Sequence, residues 1–259
     1  MDAPNYLELS PQRRIAYHKT RGDGDGGMLP GLVFLGGYSS DMTGTKAIWI
    51  EDWARARGRH FLRFDYRGHG ASSARFEEGT IGDWADDAYE AITRLTEGPQ
   101  VLIGSSMGGW IALLLARRAP ALVAGIIGIA AAPDFSEDGI WAELDEHERR
   151  KLMAEGRLEL PSDYGDEPMV VTRRLVEEGR SQLVLRSALV VDAPVRLLHG
   201  TADADVPQAV ALRLLDHLTC PDVRLTLVKG AGHRFSEPSE LALIGKTLHG
   251  ITRATGNDA

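Results

Sequence analysis

An α/β fold, with a mostly parallel sheet of about eight strands and helices on both faces, follows from three features of the sequence. Short apolar runs at residues 32–35, 101–103, 123–130 and 195–199 alternate with longer stretches of helical spacing. Glycine-rich loops follow several of these runs, as they do where a strand turns into a helix. The alternation stops between Pro133 and Leu189 and then resumes, the pattern of an insertion. The chain therefore reads as one domain, 1–259, with a helical lid insertion at about 133–189.

Taken in order, residues 6–9 and 14–20 flank Ser10-Pro11-Gln12 and read as an antiparallel entry hairpin. RGDGDGG (21–27) lacks the spacing and closing glutamate of a calcium loop and reads as a surface turn. Residues 32–35 form a buried strand, and 43–57 a helix with Ile48, Trp49, Trp53 and Ala54 inward. After a strand at 60–64, Asp65 to Ser72 form a loop in which Arg67 and His69 tie the backbone to the scaffold. Thr80, with Asp83 three residues on, starts a helix over 80–95. The strand at 101–103 feeds a helix from Met107, and 123–130 is a buried parallel strand. Within the insertion, 136–155 reads as one amphipathic helix, 158–164 as irregular and 169–178 as helical. The strand at 195–199, a helix at 209–218, a strand at 223–228 and a helix at 241–252 complete the chain.

The chemistry is concentrated at three loops. Gly104-Ser105-Ser106-Met107-Gly108 is a G-x-S-x-G pentapeptide placed between strand and helix, the context in which a serine sits on a strained elbow. Ser106 is the candidate nucleophile, and the helix start behind it favours the negative charge that develops there. An acid is then expected beyond a later strand, followed in chain order by a histidine. Asp203 lies closest to the end of the 195–199 strand, while Asp205 is better placed to cap the helix near Pro207. His233, in Gly230-Ala231-Gly232-His233 after the last strand, completes the order Ser106, Asp203, His233. His18, His69 and His199 precede the acid, and His217 and His249 fall inside helical patterns. Backbone N–H groups of Tyr38, in the loop after residues 32–35, and of Met107 are the expected oxyanion donors. Trp141, Met153, Leu160 and Tyr164 in the insertion are candidates to line an acyl pocket.

Composition narrows the partners. With 43% hydrophobic and 25% charged residues the chain has the balance of a globular protein. A net charge of −8 argues against a nucleic-acid or anionic-membrane surface. The one cysteine, Cys220, excludes an internal disulfide and a multi-cysteine metal site and reads as a small buried hydrophobe. No apolar run is long enough to span a bilayer, and residues 1–19 contain none that reads as a signal peptide. Neither a metal nor an organic cofactor is implied, the expected partner is a small-molecule or acyl-protein (thio)ester, and oligomeric state is left open.

The motifs GYSSDMTGTKA (37–47), FDYRGHGASS (64–73), GPQVLIGSSMGGW (98–110), LPSDY (160–164), RLLHGTADADVP (196–207) and His233-Arg234 carry a family resemblance. The chain resembles the α/β hydrolases. More closely, it resembles the mitochondrial palmitoyl-protein thioesterases that also act as mycophenolic acid acyl-glucuronide esterases, with their bacterial relatives. The resemblance places the family's nucleophile, acid and base on Ser106, Asp203 and His233. It implies cleavage of long-chain S-acyl thioesters on cysteines and of acyl-glucuronide esters. The sequence shows no transit peptide, so a cytoplasmic location is expected. Competing expectations are a serine aminopeptidase, a C–C bond hydrolase, or a catalytically silent small-molecule receptor on the same fold.

Overall fold

The computed structural model describes residues 3–161 and 168–256. An entry hairpin of β1 (Asn5–Ser10) and β2 (Arg13–Thr20) leads through a one-turn helix, α1 (Gly24–Gly27), to the first parallel strand, β3 (Leu32–Leu35). There follow α2 (Thr45–Arg55), β4 (Phe61–Phe64), α3 (Ile81–Leu95), β5 (Gln100–Ser105), α4 (Met107–Arg118) and β6 (Val123–Ile129). After the insertion come β10 (Val195–Gly200), α7 (Gln208–His217), β12 (Val223–Val228) and α8 (Pro238–Gly256). The eight strands of the main sheet lie in the order β1-β2-β4-β3-β5-β6-β10-β12. From β4 to β12 every pairing is parallel, and β2 pairs antiparallel with both β1 and β4.

The four-residue strands β3 and β4 are buried along their whole length because helices cover both sheet faces. One face packs Trp84, Ile92, Trp110 and Leu114 from α3 and α4. The other packs Ile50 and Trp53 of α2 and Ile244, Leu248 and Ile251 of α8. Helix α2 buries Trp53 and Ala54 as expected, together with Ala47 and Ile50, whereas Ile48 and Trp49 are half-buried. Thr80 caps α3 by accepting from the Asp83 N–H at 3.2 Å, as its spacing predicts.

The loop after β4 is tied down heavily. The Arg67 guanidinium donates to Asp87 at 2.9 and 3.0 Å and to Asp83 at 2.6 Å, and its carbonyl accepts from Trp84 Nε1. His69 is buried among Tyr66, Phe76 and Trp84. Asp65 accepts from the Met42 and Ala71 N–H groups, joining this loop to the one after β3.

Between β6 and β10 the chain departs from the helical expectation. A wide-pitch π turn (Phe135–Trp141) comes first, then α5 (Glu146–Glu155), then an antiparallel ribbon of β7 (Arg157–Leu160) and β8 (Met169–Thr172), then α6 (Arg173–Gly179). The single helix expected over 136–155 is divided because Asp145 starts a new one. Its carboxylate accepts from the Glu148 N–H, and Glu148 accepts from the Asp145 N–H. Residues 158–160, expected to be irregular, and 169–172, expected to begin a helix, pair as strands, and the expected helix starts only at Arg173. Val170, Val171 and Thr172 are β-branched and favour an extended backbone, and Thr172 then caps α6 by accepting from the Leu175 N–H. Leu144, Leu152, Leu158, Val171 and Val176 give the insertion a small core of its own. Buried Asp134 joins its two ends by accepting from the Val184 and Leu185 N–H groups. A short pair, β9 (Leu189–Val190) with β11 (Leu218–Thr219), lies beside its exit, where Cys220 is half-buried and donates to the Ala193 carbonyl.

Candidate active site

Ser106 stands between the end of β5 and the start of α4 with φ 52° and ψ −117°, a backbone conformation costing a non-glycine residue about 1–3 kcal/mol. It persists because its surroundings fix it. The Ser106 N–H donates to the Ile129 carbonyl, and its own carbonyl accepts from Gly109 and Ala132. A Cβ at Gly104 would lie 2.3 Å from the Gly108 carbonyl oxygen, and one at Gly108 would lie 2.0 Å from that of Leu35. Strand and helix approach so closely here that only glycine fits, which is the physical content of the pentapeptide.

His233 reaches this serine from the loop between β12 and α8. Its Nε2 lies 3.1 Å from Ser106 Oγ, and its Nδ1 lies 2.9 Å from Asp203 Oδ2. Asp203 sits just beyond β10 with its side chain fully buried, and its Oδ1 also accepts from the Asp205 and Val206 N–H groups. Burial by itself would raise its carboxyl. The hydrogen bonds from His233 and from the Val206 N–H, with the charge of the neighbouring imidazoles, outweigh burial and hold it below its ordinary value. Asp205 does not cap α7 as expected. Pro207 holds that position with no side-chain cap, and the Asp205 backbone serves the neighbouring acid instead. Ligand-type atoms of Asp203, Asp205 and His233 lie within 4.8 Å of one another, a spacing that could hold a cation. Two of the three already share the Nδ1–carboxylate hydrogen bond, so a cation would compete with it.

His199 is a participant the sequence reading set aside on chain order alone. It is buried at the end of β10, and its Nε2 lies 2.9 Å from the Val206 carbonyl and 3.6 Å from Asp203 Oδ2. The carbonyl can only accept, so Nε2 carries the proton. His199 thus braces the turn that presents Asp203. The signal was the histidine-glycine pair ending the strand before the acid.

The loop after β3 abuts the serine: a Cβ at Gly37 would lie 3.5 Å from Ser106 Cβ. Tyr38 follows Gly37, and Met107 opens α4 beside the serine. Among the described residues neither N–H has a backbone hydrogen-bond acceptor. The Tyr38 side chain turns away from that position. Its hydroxyl donates to the Val170 carbonyl at 2.6 Å, and its ring meets those of Phe76, Trp84 and Phe135 edge-on. Phe76, Phe135 and Val170 were not foreseen, because nothing local in the sequence marks what will surround a loop tyrosine.

Of the pocket candidates, Trp141 and Leu160 pack against the insertion's own core. The Trp141 ring is flanked by the guanidinium groups of Arg149 and Arg180. Met153 is half-buried on α5, and its carbonyl accepts from Arg173. Tyr164 lies outside the described residues.

A parallel sheet in this order, with a strained serine elbow at its carboxyl edge, defines the α/β hydrolases as a class. The chain belongs to the alpha/beta hydrolase family, whose model matches residues 32–242. It is 35% identical over 245 residues to the mitochondrial palmitoyl-protein thioesterase ABHD10 of Mus musculus, covering 94% of this chain and 80% of that one. The Homo sapiens counterpart is likewise 35% identical, with 94% and 78% covered. Among solved structures, a putative hydrolase from Agrobacterium vitis S4 superposes with a TM-score of 0.90 at 39% identity, covering 96% of this chain and 97% of that one. Alpha/beta hydrolase domain-containing protein 10 from mouse gives 0.88 at 33% identity, with 98% and 99% covered. The protein is a hydrolase of carboxylic esters or thioesters.

One expectation is overturned by these relatives. They are mitochondrial by name, which points away from the cytoplasmic location expected from the sequence. A single cysteine excludes an internal disulfide but selects no compartment. No helix among the described residues is long and apolar enough to cross a membrane.

Proposed function

We propose that this hydrolase cleaves long-chain S-acyl thioesters on protein cysteines through a Ser106–His233–Asp203 triad and an acyl-enzyme intermediate. The observation that carries the reading is the position of His233, whose two ring nitrogens lie 3.1 Å from Ser106 Oγ and 2.9 Å from Asp203 Oδ2. A base so placed takes the serine proton as Oγ attacks the carbonyl carbon. The lowered carboxyl of Asp203 stays ionised, fixes the imidazole tautomer and stabilises the imidazolium. The Tyr38 and Met107 N–H groups receive the oxyanion. The carbon–sulfur bond then breaks, and His233 returns the proton to the departing thiolate. A water deprotonated by the same imidazole attacks the acyl-enzyme and frees the acid and Ser106. The substrate class comes from the thioesterase relatives, and an acyl-glucuronide ester is opened by the same steps. The insertion acts as a lid, its own core packed by Trp141 and Leu160, with half-buried Met153 left to offer apolar surface to the acyl chain.

A fluorophosphonate probe tests the nucleophile. Covalent labelling of the wild type that disappears in Ser106→Ala is the expected result, and labelling that survives this substitution removes Ser106 from the role. A panel of acyl thioesters and acyl esters from two to sixteen carbons then tests the substrate. Turnover should rise with chain length and favour sulfur over oxygen leaving groups. Peptide anilides or vinylogous diketones hydrolysed faster than any of these would favour the peptidase or C–C hydrolase alternative.

A further inference from the structure

Tyr38 joins two parts of the molecule that the proposed mechanism treats separately. Its backbone lies in the loop against Ser106, and its side chain is anchored in the insertion. The hydroxyl donates to the carbonyl of Val170 on β8 at 2.6 Å. The ring meets Phe135, the first residue of the π turn, with centroids 5.5 Å apart. On the core side it meets Phe76 at 4.8 Å and Trp84 of α3 at 5.8 Å. Phe135 in turn packs edge-on against Trp110 of α4, the helix that begins at Met107. Burial pushes the phenol well above its ordinary value, so it remains a neutral donor over the working range.

The backbone around Tyr38 is a turn, closed by the Ser40 N–H donating to the Gly37 carbonyl at 3.3 Å. Gly36 and Gly37 precede it, and glycine permits many backbone directions. Ser39 follows in the left-handed region at φ 55°, which a non-glycine residue adopts only when its surroundings hold it there. Ser40 Oγ fixes the Gly37 carbonyl at 2.8 Å, which sets one end of the loop. The turn fixes the Tyr38 backbone from one side, and the side-chain anchor to Val170 fixes it from the other. A donor aimed at a developing oxyanion is sensitive to small misplacement, because its stabilisation depends on preorganised geometry.

The geometry points to Tyr38 as a positioning residue that couples the seating of the β7–β8 ribbon to the oxyanion donor. When the ribbon is docked, the phenol is held and the N–H faces the substrate oxygen. When the ribbon lifts, the anchor is lost and the donor drifts. Substrate occupancy under the insertion would thus complete the catalytic geometry through one side chain. This rests on Ser106 being the nucleophile, and the test separates the two claims.

The full-length protein and its Tyr38→Phe and Ser106→Ala variants are compared by turnover of p-nitrophenyl butyrate, affinity for phenylboronic acid, hydrogen exchange and fluorophosphonate labelling. Phenylalanine keeps the ring contacts and loses only the anchor, and an unchanged melting temperature confirms an intact core. Tyr38→Phe should lower kcat about tenfold with KM within about twofold, below the loss for deleting a donor outright. Boronate affinity should fall by the same factor, and amide exchange at residues 169–172 should rise. Phe135→Leu, which trims the other insertion contact, should move the same quantities in the same direction and less. Normal kcat and boronate affinity in Tyr38→Phe, with or without faster exchange, overturns the coupling. So does a lowered kcat with exchange unchanged, which would place the hydroxyl's role elsewhere. Labelling retained in Ser106→Ala instead removes the nucleophile, and with it the oxyanion role on which the coupling depends.

Discussion

The elbow and the insertion lie on the same edge of the sheet and are built on opposite principles. At the elbow the backbone itself is the constraint: Gly104 and Gly108 occupy positions where one added carbon collides with main chain 2.0–2.3 Å away, and Ser106 between them is held at φ 52°. The insertion has backbone departures of its own, at Asp134 (φ 59°) and in the π turn, but side chains do the holding. A small core around Leu152, the Asp134 bridge and the Tyr38 hydroxyl seat it on the sheet. Main-chain packing leaves little room for adjustment, whereas a ribbon held by side chains can reseat. The difference assigns rigidity to the atoms proposed for bond making and latitude to those proposed to meet the acyl chain.

The sharpest way to break this contrast is at the acid. Asp203→Asn should lower kcat by about 10⁴, since the wrong imidazole tautomer is then favoured. Asp205→Asn should cost only a few-fold, because it is the Asp205 main-chain N–H that the acid uses. Equal losses in kinetic assays of the two variants would end the distinction between them.

Next in size is Gly108→Ala, whose Cβ meets the Leu35 carbonyl oxygen at 2.0 Å. Overpacking against backbone should remove about 3 kcal/mol or more, read by thermal or urea unfolding, and reduce soluble yield. A Gly108→Ala protein that melts with the wild type would show that the elbow is as adaptable as the insertion.

Leu152→Ala empties the centre of the insertion's core, where a buried leucine is typically worth about 2–5 kcal/mol. If that core is a local unit, the global melting point should move less than this range. Exchange across α5 and the ribbon should then increase, and KM for long acyl chains should rise more than for acetyl. A full shift of the global melting point, with no selective effect on long chains, would merge the insertion with the main core.

The smallest effect concerns the loop that presents His233. Lys46 Nζ donates to the Arg234 carbonyl, and burial pushes the amine down to about 8, with Arg234 adding to the shift and Glu240 opposing it. The folded state thus releases this proton at lower pH than the unfolded chain, which binds more protons from about pH 8 up to the ordinary lysine value. Stability should therefore rise with pH across that window, by on the order of 1 kcal/mol. In Lys46→Met the rise should be absent in urea titrations between pH 7.5 and about 10. An unchanged pH dependence would remove Lys46 as its source.

Much of the site was legible because its constraints are local or ordered along the chain. A serine between glycines, behind a short apolar run, needs only its neighbours to be recognised, and Asp203 and His233 follow strands in a fixed order. The insertion was less legible. Residues 158–160 and 169–172 become strands by pairing with each other, and a four-residue apolar run carries no periodicity that separates strand from helix. On α2, Trp53 and Ala54 face inward as expected while Ile48 and Trp49 do so only in part, for a related reason, since apolar residues lie on both sides of the helix.

Composition and motif order by themselves determined that strands and helices alternate around a parallel sheet, and which three side chains would be candidates to meet at its edge. Only the tertiary structure decided that His233 stands 3.1 Å from Ser106, that His199 braces the turn bearing Asp203, and that Tyr38 reaches into the insertion. The first and last of these contacts join residues 127 and 132 positions apart, and the Asp203–His233 pair 30 apart. Their existence depends on how whole layers pack, which no local propensity encodes.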